Sequence, residues 1–245
     1  MNNYKIYTHF NEECDVYKAN KPLNAIGIMI HSTGANNPNL KRYVNFPEVC
    51  GINEYKNWFG SENAYKGGDY TVPHFVIGKD KDGKIAAVQI LPLDIRAQTA
   101  GSGTKGSANA THIQIEICED GLTDVGYFNG CFKCCIELCT KLLTLNKSLS
   151  IPNIISHKEG HAHGIASGHG DPDHWLSRMG LSMDWLRREI SLQYATRDED
   201  EQPMIDTTPP IRYKVQVGAF SNRENAEKML ERVKAAGFAA FITTV

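Results

Sequence analysis

The sequence predicts an α/β domain followed by a small C-terminal βαβ module. Short apolar runs rich in β-branched residues, at 25–30 and 111–118, indicate buried strands. Apolar residues at helical spacing, at 129–147 and 183–194, indicate helices that cover a sheet. An acidic and proline-rich stretch at 195–211 has little to bury, so it indicates a linker. The predicted domain boundaries are therefore 1–194 and 212–245.

The C-terminal module is predicted from three neighbouring signals. Alternating residues at 213–220 predict a strand, and Ser221 with Glu224 predicts a capping box at the start of a helix. Residues 238–245 predict a final strand. At about 35 residues this unit is below the size that usually folds alone, so we expect it to need a second copy, another surface or a ligand.

Three predicted strands of the first domain carry candidate functional side chains. The first apolar run delivers His31 at its C-terminal end, and a strand at 151–156 ends at His157. The run at 111–118 alternates apolar and polar residues, which puts Glu116 on the polar face of a half-buried strand. A hairpin is also predicted, because two strand-like runs at 70–91 flank an Asp-Gly turn.

Composition excludes several classes of partner. The formal net charge is -2, without a basic run that could follow a phosphate backbone, so we do not expect nucleic acid binding. No apolar run reaches the roughly 18 residues of a membrane span. The N-terminus lacks the cationic start and apolar block of a secretory signal, which predicts synthesis in the cytoplasm. Seven cysteines, an odd number, do not form the framework of a small disulfide-bonded scaffold.

A histidine-rich stretch predicts a metal site. Residues 156–175, SHKEGHAHGIASGHGDPDHW, hold five of the nine histidines beside Asp171 and Asp173. Imidazole and carboxylate together suit Zn²⁺ better than Mg²⁺ or Ca²⁺, which prefer oxygen ligands. The stretch contains no cysteine, which argues against a closed structural site. We therefore expect a catalytic zinc.

The candidate ligands come from separate segments. His31 and His157 each follow an apolar strand, where a rigid element can hold an imidazole in place. Asp171 is a candidate third ligand, and Asp173 is its main rival because spacing alone does not separate them. The remaining histidines could bind metal by type, but we predict that they lie on the surface or in capped positions: His161, His163 and His174.

Further residues are candidates for proton transfer. A carboxylate at Glu116 could act as general base, with a plain surface glutamate as the alternative. His169 could stabilise a developing oxyanion, or it could be a solvated loop histidine. The CxxC formed by Cys131 and Cys134 lies in a predicted amphipathic helix and indicates core packing. A nucleophilic role for Cys118 is a further, less favoured, reading.

Five segments together resemble a known enzyme superfamily. They read GIMIHSTG, PHFVIGKDKDGKI, RAQTAG, HIQIEICED and the histidine-rich stretch, in the order found in zinc-dependent N-acetylmuramoyl-L-alanine amidases of the type-2 amidase and peptidoglycan-recognition-protein superfamily. The resemblance covers roughly residues 20–190. It implies a central mixed β-sheet flanked by helices, and a Zn²⁺ ion held by His31, His157 and Asp171 rather than Asp173.

The resemblance also implies roles for other residues. The strand glutamate of the superfamily falls on Glu116, and the residue two positions before the third ligand, often lysine in relatives, falls on His169. His74 matches a recurrent histidine near the cleft, which makes it a candidate substrate contact. Thr99 stands where relatives often have histidine. The C-terminal module resembles one half of a SPOR-type repeat, which is associated with peptidoglycan binding.

The implied function is hydrolysis of the amide between N-acetylmuramic acid and L-alanine in bacterial peptidoglycan. Without a secretory signal, we expect an endolysin of phage or prophage type that reaches the wall by a separate route. A cytoplasmic amidase that recycles wall fragments is the alternative closest to it, but a wall-binding tail fits that alternative less well. The alternatives are a non-catalytic peptidoglycan-binding protein on the same fold and a zinc peptidase that cuts the stem peptide. A complete ligand set with Glu116 favours the amidase.

Overall fold

The computed structural model describes residues 4–63, 71–196, 218–236 and 242. The chain divides into two compact units, Met1–Thr207 and Thr208–Val245. All but the first two residues of the predicted linker at 195–211 lie outside the described residues, as do most of the predicted C-terminal strands. Among the described helices, none is long and apolar enough to cross a membrane.

A six-stranded mixed sheet lies at the centre of the first unit. Its strands are β1 (Lys5–Thr8), β2 (Gly27–Ser32), β3 (Phe75–Lys79), β4 (Ile85–Gln89), β5 (His112–Ile117) and β6 (Ile154–Ser156). Their order across the sheet is β1-β4-β3-β5-β2-β6. Only the β3–β4 pair is antiparallel, and this pair is the predicted hairpin. The expectation of a mixed α/β sheet is confirmed.

Seven α-helices are described. They are α1 (Asp15–Ala19), α2 (Pro47–Cys50), α3 (Val125–Leu145), α4 (His157–Ala162), α5 (Asp173–Arg178), α6 (Met183–Ala195) and, in the second unit, α7 (Arg223–Ala235). Helix α3 begins before its predicted start because the Asp124 side chain accepts the Tyr127 N–H as N-cap. The capping box predicted at Ser221 is wrong, since the N-cap of α7 is Asn222, which accepts the Glu224 N–H.

Both faces of the sheet are covered. One face packs its isoleucines against α3, α5 and α6, with Trp175, Phe128 and Phe132 among the largest buried side chains. On the other face, smaller clusters form around Val76 and around Met29. Parallel strands are usually buried on both sides in this way.

Strand β5 is buried on both faces, which corrects the expectation of a half-buried strand at 111–118. All six residues of β5 are buried, and Glu116 is 5% exposed. The polar residues that alternate along β5 therefore face covering loops and neighbouring strands rather than solvent. A carboxylate in that position is functional or well compensated, because burying a charge without partners costs free energy.

His74 is part of the interior rather than a substrate contact. The residue is fully buried, its Nε2–H donates to the Ile95 carbonyl at 2.9 Å, and its Nδ1 accepts the Gln114 N–H at 2.9 Å. Both ring nitrogens are therefore used within the fold, which leaves none for a ligand. Burial lowers the pKa of His74 to about 4, and the bond to Ile95 offsets only part of that effect.

This buried histidine predicts a loss of stability in acid. Its pKa in the folded state, about 4, lies below the ordinary value of 6.5, so the unfolded state binds more protons between these values. The stabilisation is complete above the unfolded-state pKa and is lost as the pH falls toward the folded-state pKa. Between about pH 7.5 and about pH 5 we expect His74 to account for a loss of about 2 kcal/mol.

The His74→Asn variant tests this expectation, because the amide oxygen can still accept the Gln114 N–H but does not titrate in this range. Urea unfolding of both proteins at the two pH values measures the difference. The variant should lose about 2 kcal/mol less than the wild type on acidification. Equal losses in the two proteins would show that His74 is not held neutral by the fold.

Candidate metal centre and catalytic site

Three side chains from separate parts of the chain converge on one point. The Nδ1 atoms of His31 and His157 lie 3.0 Å apart. One carboxylate oxygen of Asp171 lies 3.3 Å from His31 Nδ1, and the other lies 3.6 Å from His157 Nδ1. Among the described residues this is the one group of three or more histidine, cysteine or acidic side chains whose candidate donor atoms come together in this way.

The local structure around His157 differs from its sequence-based prediction. His157 does not extend a strand into a loop but is the first residue of α4. Ser156 is the N-cap: its hydroxyl accepts the Glu159 N–H at 3.0 Å, and the Glu159 carboxylate accepts the Ser156 N–H at 3.0 Å. This reciprocal capping box fixes the first helical turn and with it the direction of the His157 side chain.

An ion pair ties that helical turn to α6. Both terminal guanidinium nitrogens of Arg187 donate to the Glu159 carboxylate at 2.9 Å, and one of them also donates to the Ile154 carbonyl at 2.9 Å. Two parallel N–H···O bonds restrict the geometry more than a single contact does. Arg187 therefore holds the start of β6 and the first turn of α4 together, a role that no local sequence pattern indicates.

The far nitrogen of each histidine in the cluster also has a hydrogen-bond partner. His31 Nε2 lies 2.7 Å from the side-chain oxygen of Gln114, and His157 Nε2 lies 3.1 Å from the Ser167 hydroxyl. In neutral imidazole one nitrogen carries the hydrogen and the other a lone pair. With the far nitrogens as donors, both Nδ1 lone pairs point to the common centre.

This donor set fits zinc. Bonds of about 2.0–2.1 Å in a tetrahedral site place neighbouring donor atoms about 3.3 Å apart. The two Nδ1 atoms, 3.0 Å apart, and the Asp171 oxygen that lies 3.3 Å from His31 Nδ1 are close to that spacing, and the other Asp171 oxygen lies 3.6 Å from His157 Nδ1. Two facing lone pairs and a carboxylate also favour a cation between them, and nitrogen with oxygen donors suits zinc. We therefore assign His31, His157 and Asp171 as the residues that would hold the ion.

Asp171 is held as an anion. Burial raises the pKa of its carboxyl, but the nearby imidazoles of His157 and His31 outweigh burial and hold that pKa well below its usual range. The Ser32 N–H also donates to the carboxylate, at 3.3 Å. The rival candidate, Asp173, is instead the first residue of α5 and is not part of the cluster.

Glu116 lies beside this cluster. It is paired with His31 across the β2–β5 register, so both side chains point to the same face of the sheet. Burial raises the pKa of the Glu116 carboxyl well above its usual range, and the negative charges of Asp171 and Glu119 raise it further. A carboxylate tuned in this direction suits proton transfer.

Sequence reasoning missed a second buried carboxylate, Glu119. This residue is 3% exposed and accepts hydrogen bonds from the Ser32 hydroxyl and from His174 Nε2, the latter at 3.0 Å. Its backbone N–H donates to the Thr33 hydroxyl at 3.0 Å. These contacts join the segment after β5 to the end of β2, directly after His31. Glu119 thereby supports the position of His31.

The other histidines of the stretch lie around the cluster. The His169 ring is exposed and lies 4.7 Å from the His157 ring, with its Nδ1 3.0 Å from the Ser167 hydroxyl. His161 and His163 are exposed and outside the cluster, and His174 pairs with Glu119. His169 is thus the one of these four that is adjacent to both His157 and solvent.

The cysteines and Thr99 take structural positions. All seven cysteines are buried and free of disulfides. Burial raises the pKa of the Cys118 thiol well above its usual range, which opposes formation of a thiolate nucleophile. The backbone N–H of Thr99 donates to the Asn109 side chain at 2.9 Å. None of these groups belongs to the metal cluster.

Two known protein families match parts of this chain. Residues 21–174 match the N-acetylmuramoyl-L-alanine amidase family, and residues 209–245 match the SPOR domain family. The first match covers more than half of the chain and includes all three members of the cluster. The chain belongs to the N-acetylmuramoyl-L-alanine amidase family. No curated protein matches the chain in sequence.

Solved structures share the fold of the amidase domain. A mutant endolysin from Bacillus subtilis gives a TM-score of 0.52 at 20% identity, over 77% of this chain and 99% of that chain. The PlyG catalytic domain gives 0.54 at 17% identity, over 78% and 95%. The Staphylococcus aureus hydrolase AmiA, solved in complex with its ligand, gives 0.51 at 16% identity, over 79% and 85%. At these identities the likeness establishes the fold alone.

The capping box formed by Ser156 and Glu159 at the start of α4 yields a prediction. Ser156→Ala removes the N-cap of the turn that carries His157, so we expect a stability loss of about 1 kcal/mol together with weaker zinc binding. Ser182→Ala is the matched control, because Ser182 caps α6 by accepting the Trp185 N–H but does not adjoin a ligand. Thermal unfolding and zinc titration against a chelator measure both effects. Equal zinc affinities in the two variants would contradict a positioning role for the Ser156 cap.

Proposed function

We propose that this chain is a zinc-dependent amidase that cleaves the bond between N-acetylmuramic acid and L-alanine in bacterial peptidoglycan. The observation that carries the proposal is the convergence of His31, His157 and Asp171 beside the buried carboxylate of Glu116, in a chain of this family. A protein that only binds the wall needs neither a ligand set nor a buried carboxylate next to it.

Each residue has a distinct task in the proposed reaction. Zinc, when bound, polarises the scissile carbonyl and makes water a better nucleophile near neutral pH. Glu116 takes a proton from the attacking water and passes it to the leaving amine of L-alanine, for which its raised pKa suits it. His169, exposed beside His157, donates an N–H to the carbonyl oxygen as negative charge develops there.

The C-terminal module is the part of the chain that we propose to bind the cell wall. The SPOR match at 209–245 supports peptidoglycan binding by the module that we place at 212–245, after a catalytic domain at 1–194 and a linker at 195–211. In the described part of this module, the helical stripe of α7 is only half-buried. We propose that a second copy of the chain covers it, and sedimentation over a range of concentrations tests this pairing.

The biological setting is also a proposal. An amidase domain joined to a wall-binding module suits a bacteriolytic endolysin of phage or prophage type. We propose that the chain is made in the cytoplasm and reaches the wall by a separate route, such as a membrane pore.

Digestion of purified cell walls tests the reaction. We expect new N-terminal alanine without new reducing sugar, and we expect a chelator to abolish its release and added zinc to restore it. New amino termini within the stem peptide would indicate a peptidase instead. Binding to walls without release of either product would indicate a non-catalytic wall-binding protein.

The role of Glu116 is tested by Glu116→Gln, which keeps the shape of the side chain but removes the titrating group. We expect zinc affinity to be retained and kcat to fall by about 10²–10⁴-fold, the usual contribution of general acid–base catalysis. Glu137→Gln is the matched control. Glu137 is also buried, but it lies on α3, which covers the face of the sheet opposite to Glu116. Wild-type kcat in Glu116→Gln would remove Glu116 as the base.

A further inference from the structure

Gln114 is a buried polar side chain whose position the proposed reaction does not by itself explain. It lies in β5, two residues before Glu116, and is fully buried. Its side-chain nitrogen lies 3.1 Å from the Ala108 carbonyl and 3.1 Å from the His112 carbonyl. Its side-chain oxygen lies 2.7 Å from His31 Nε2. Every polar atom of this amide is therefore bonded inside the protein.

The two carbonyls fix the orientation of the amide. A carbonyl oxygen can only accept, so the group that faces both Ala108 and His112 must be the NH₂, which has two hydrogens to donate. Rotation of the amide by half a turn would place its oxygen against two other oxygens and leave buried acceptors without donors, at a cost of about 1–3 kcal/mol for each unsatisfied group. The Gln114 oxygen must therefore face His31.

The fixed oxygen in turn fixes the proton on His31. An amide oxygen only accepts, so the bond of 2.7 Å requires that His31 Nε2 carries the hydrogen. In the neutral ring Nδ1 then carries the lone pair, and Nδ1 is the atom that faces His157 and Asp171. The Ser167 hydroxyl beside His157 cannot impose such an order alone, because a hydroxyl both donates and accepts.

We propose that Gln114 is a positioning residue that locks His31 in the Nε2–H tautomer and presents its Nδ1 lone pair to the metal. Gln114 touches neither substrate nor metal and acts only through His31. The part of this proposal that concerns zinc rests on the zinc site proposed above, whereas the tautomer itself is a property of the metal-free protein. Groups that orient a ligand histidine in this way typically change metal affinity by about 10–100-fold when they are replaced.

Long-range ¹H–¹⁵N NMR of the metal-free protein at mildly alkaline pH tests the tautomer, with His31→Asn used to assign the ring signals. The wild type should show His31 Nε2 as the protonated nitrogen. A signal from the Nδ1–H form would overturn the proposal without the need for any Gln114 variant, whether or not the protein proves to bind zinc.

Three variants separate positioning from packing. Gln114→Met keeps the bulk but removes the acceptor, and should give a mixture of His31 tautomers with about 10–100-fold weaker zinc binding and an altered Co²⁺ absorption spectrum. Gln114→Glu keeps an oxygen opposite Nε2, and should retain the Nε2–H form despite lower stability, since its second oxygen faces two carbonyls. Gln89→Met is the matched control: Gln89 is equally buried and donates to the Leu91 carbonyl at 3.1 Å without a bond to His31.

The outcomes also distinguish this inference from the proposed function. In one outcome the wild type shows zinc-dependent activity, and Gln114→Met has the same His31 tautomer, Co²⁺ spectrum and zinc affinity as Gln89→Met. That result would overturn the role of Gln114 and leave the proposed amidase function intact. In another outcome the wild type binds no zinc but holds His31 in the Nε2–H tautomer, and Gln114→Met loses that preference. That result would overturn the zinc proposal but support the role of Gln114 in fixing the His31 tautomer.

Discussion

The convergence of two imidazole lone pairs and a carboxylate is the constraint on which the site depends. Their candidate donor atoms lie within 4.8 Å of one another, where lone pairs repel and burial of a charge costs free energy. The fold meets this cost by holding each group through its other atoms. Gln114 and Ser167 bind the far nitrogens of the histidines, and the Ser32 N–H binds the carboxylate. A cation at the centre would turn the repulsion into attraction.

Sheet topology makes that convergence achievable. Strand β2 lies between β5 and β6 and runs parallel to both, so the carboxyl ends of these strands meet at one edge. Register places Glu116 opposite His31, and the capping box at the end of β6 turns the chain directly into the helix that begins with His157. Rigid elements thus carry His31, His157 and Glu116, whereas the segment before α5 carries Asp171.

Much of this arrangement could be predicted because it follows strand and helix periodicity. Period 2 along β5 places Gln114 on the same face as Glu116, a signal that sequence analysis could have used. The position of His157 on a helix was missed because Ser156 and Glu159 were not recognised as a capping box. The expectation that His74 lies near the cleft came from the family resemblance alone, whereas its burial depends on Ile95 and on the β3–β5 pairing, which the sequence does not show. Tertiary contacts such as the Arg187–Glu159 ion pair leave no local pattern to detect.

X-ray absorption at the zinc edge of the metal-loaded protein tests the central claim most directly. The account predicts one zinc per chain with only nitrogen and oxygen neighbours at about 2.0–2.1 Å, including the outer-shell scattering of two imidazoles, and loss of one imidazole in His31→Ala but not in His163→Ala. A sulfur neighbour at about 2.3 Å would place the metal among the cysteines. An unchanged spectrum in His31→Ala would equally contradict a centre built from His31, His157 and Asp171.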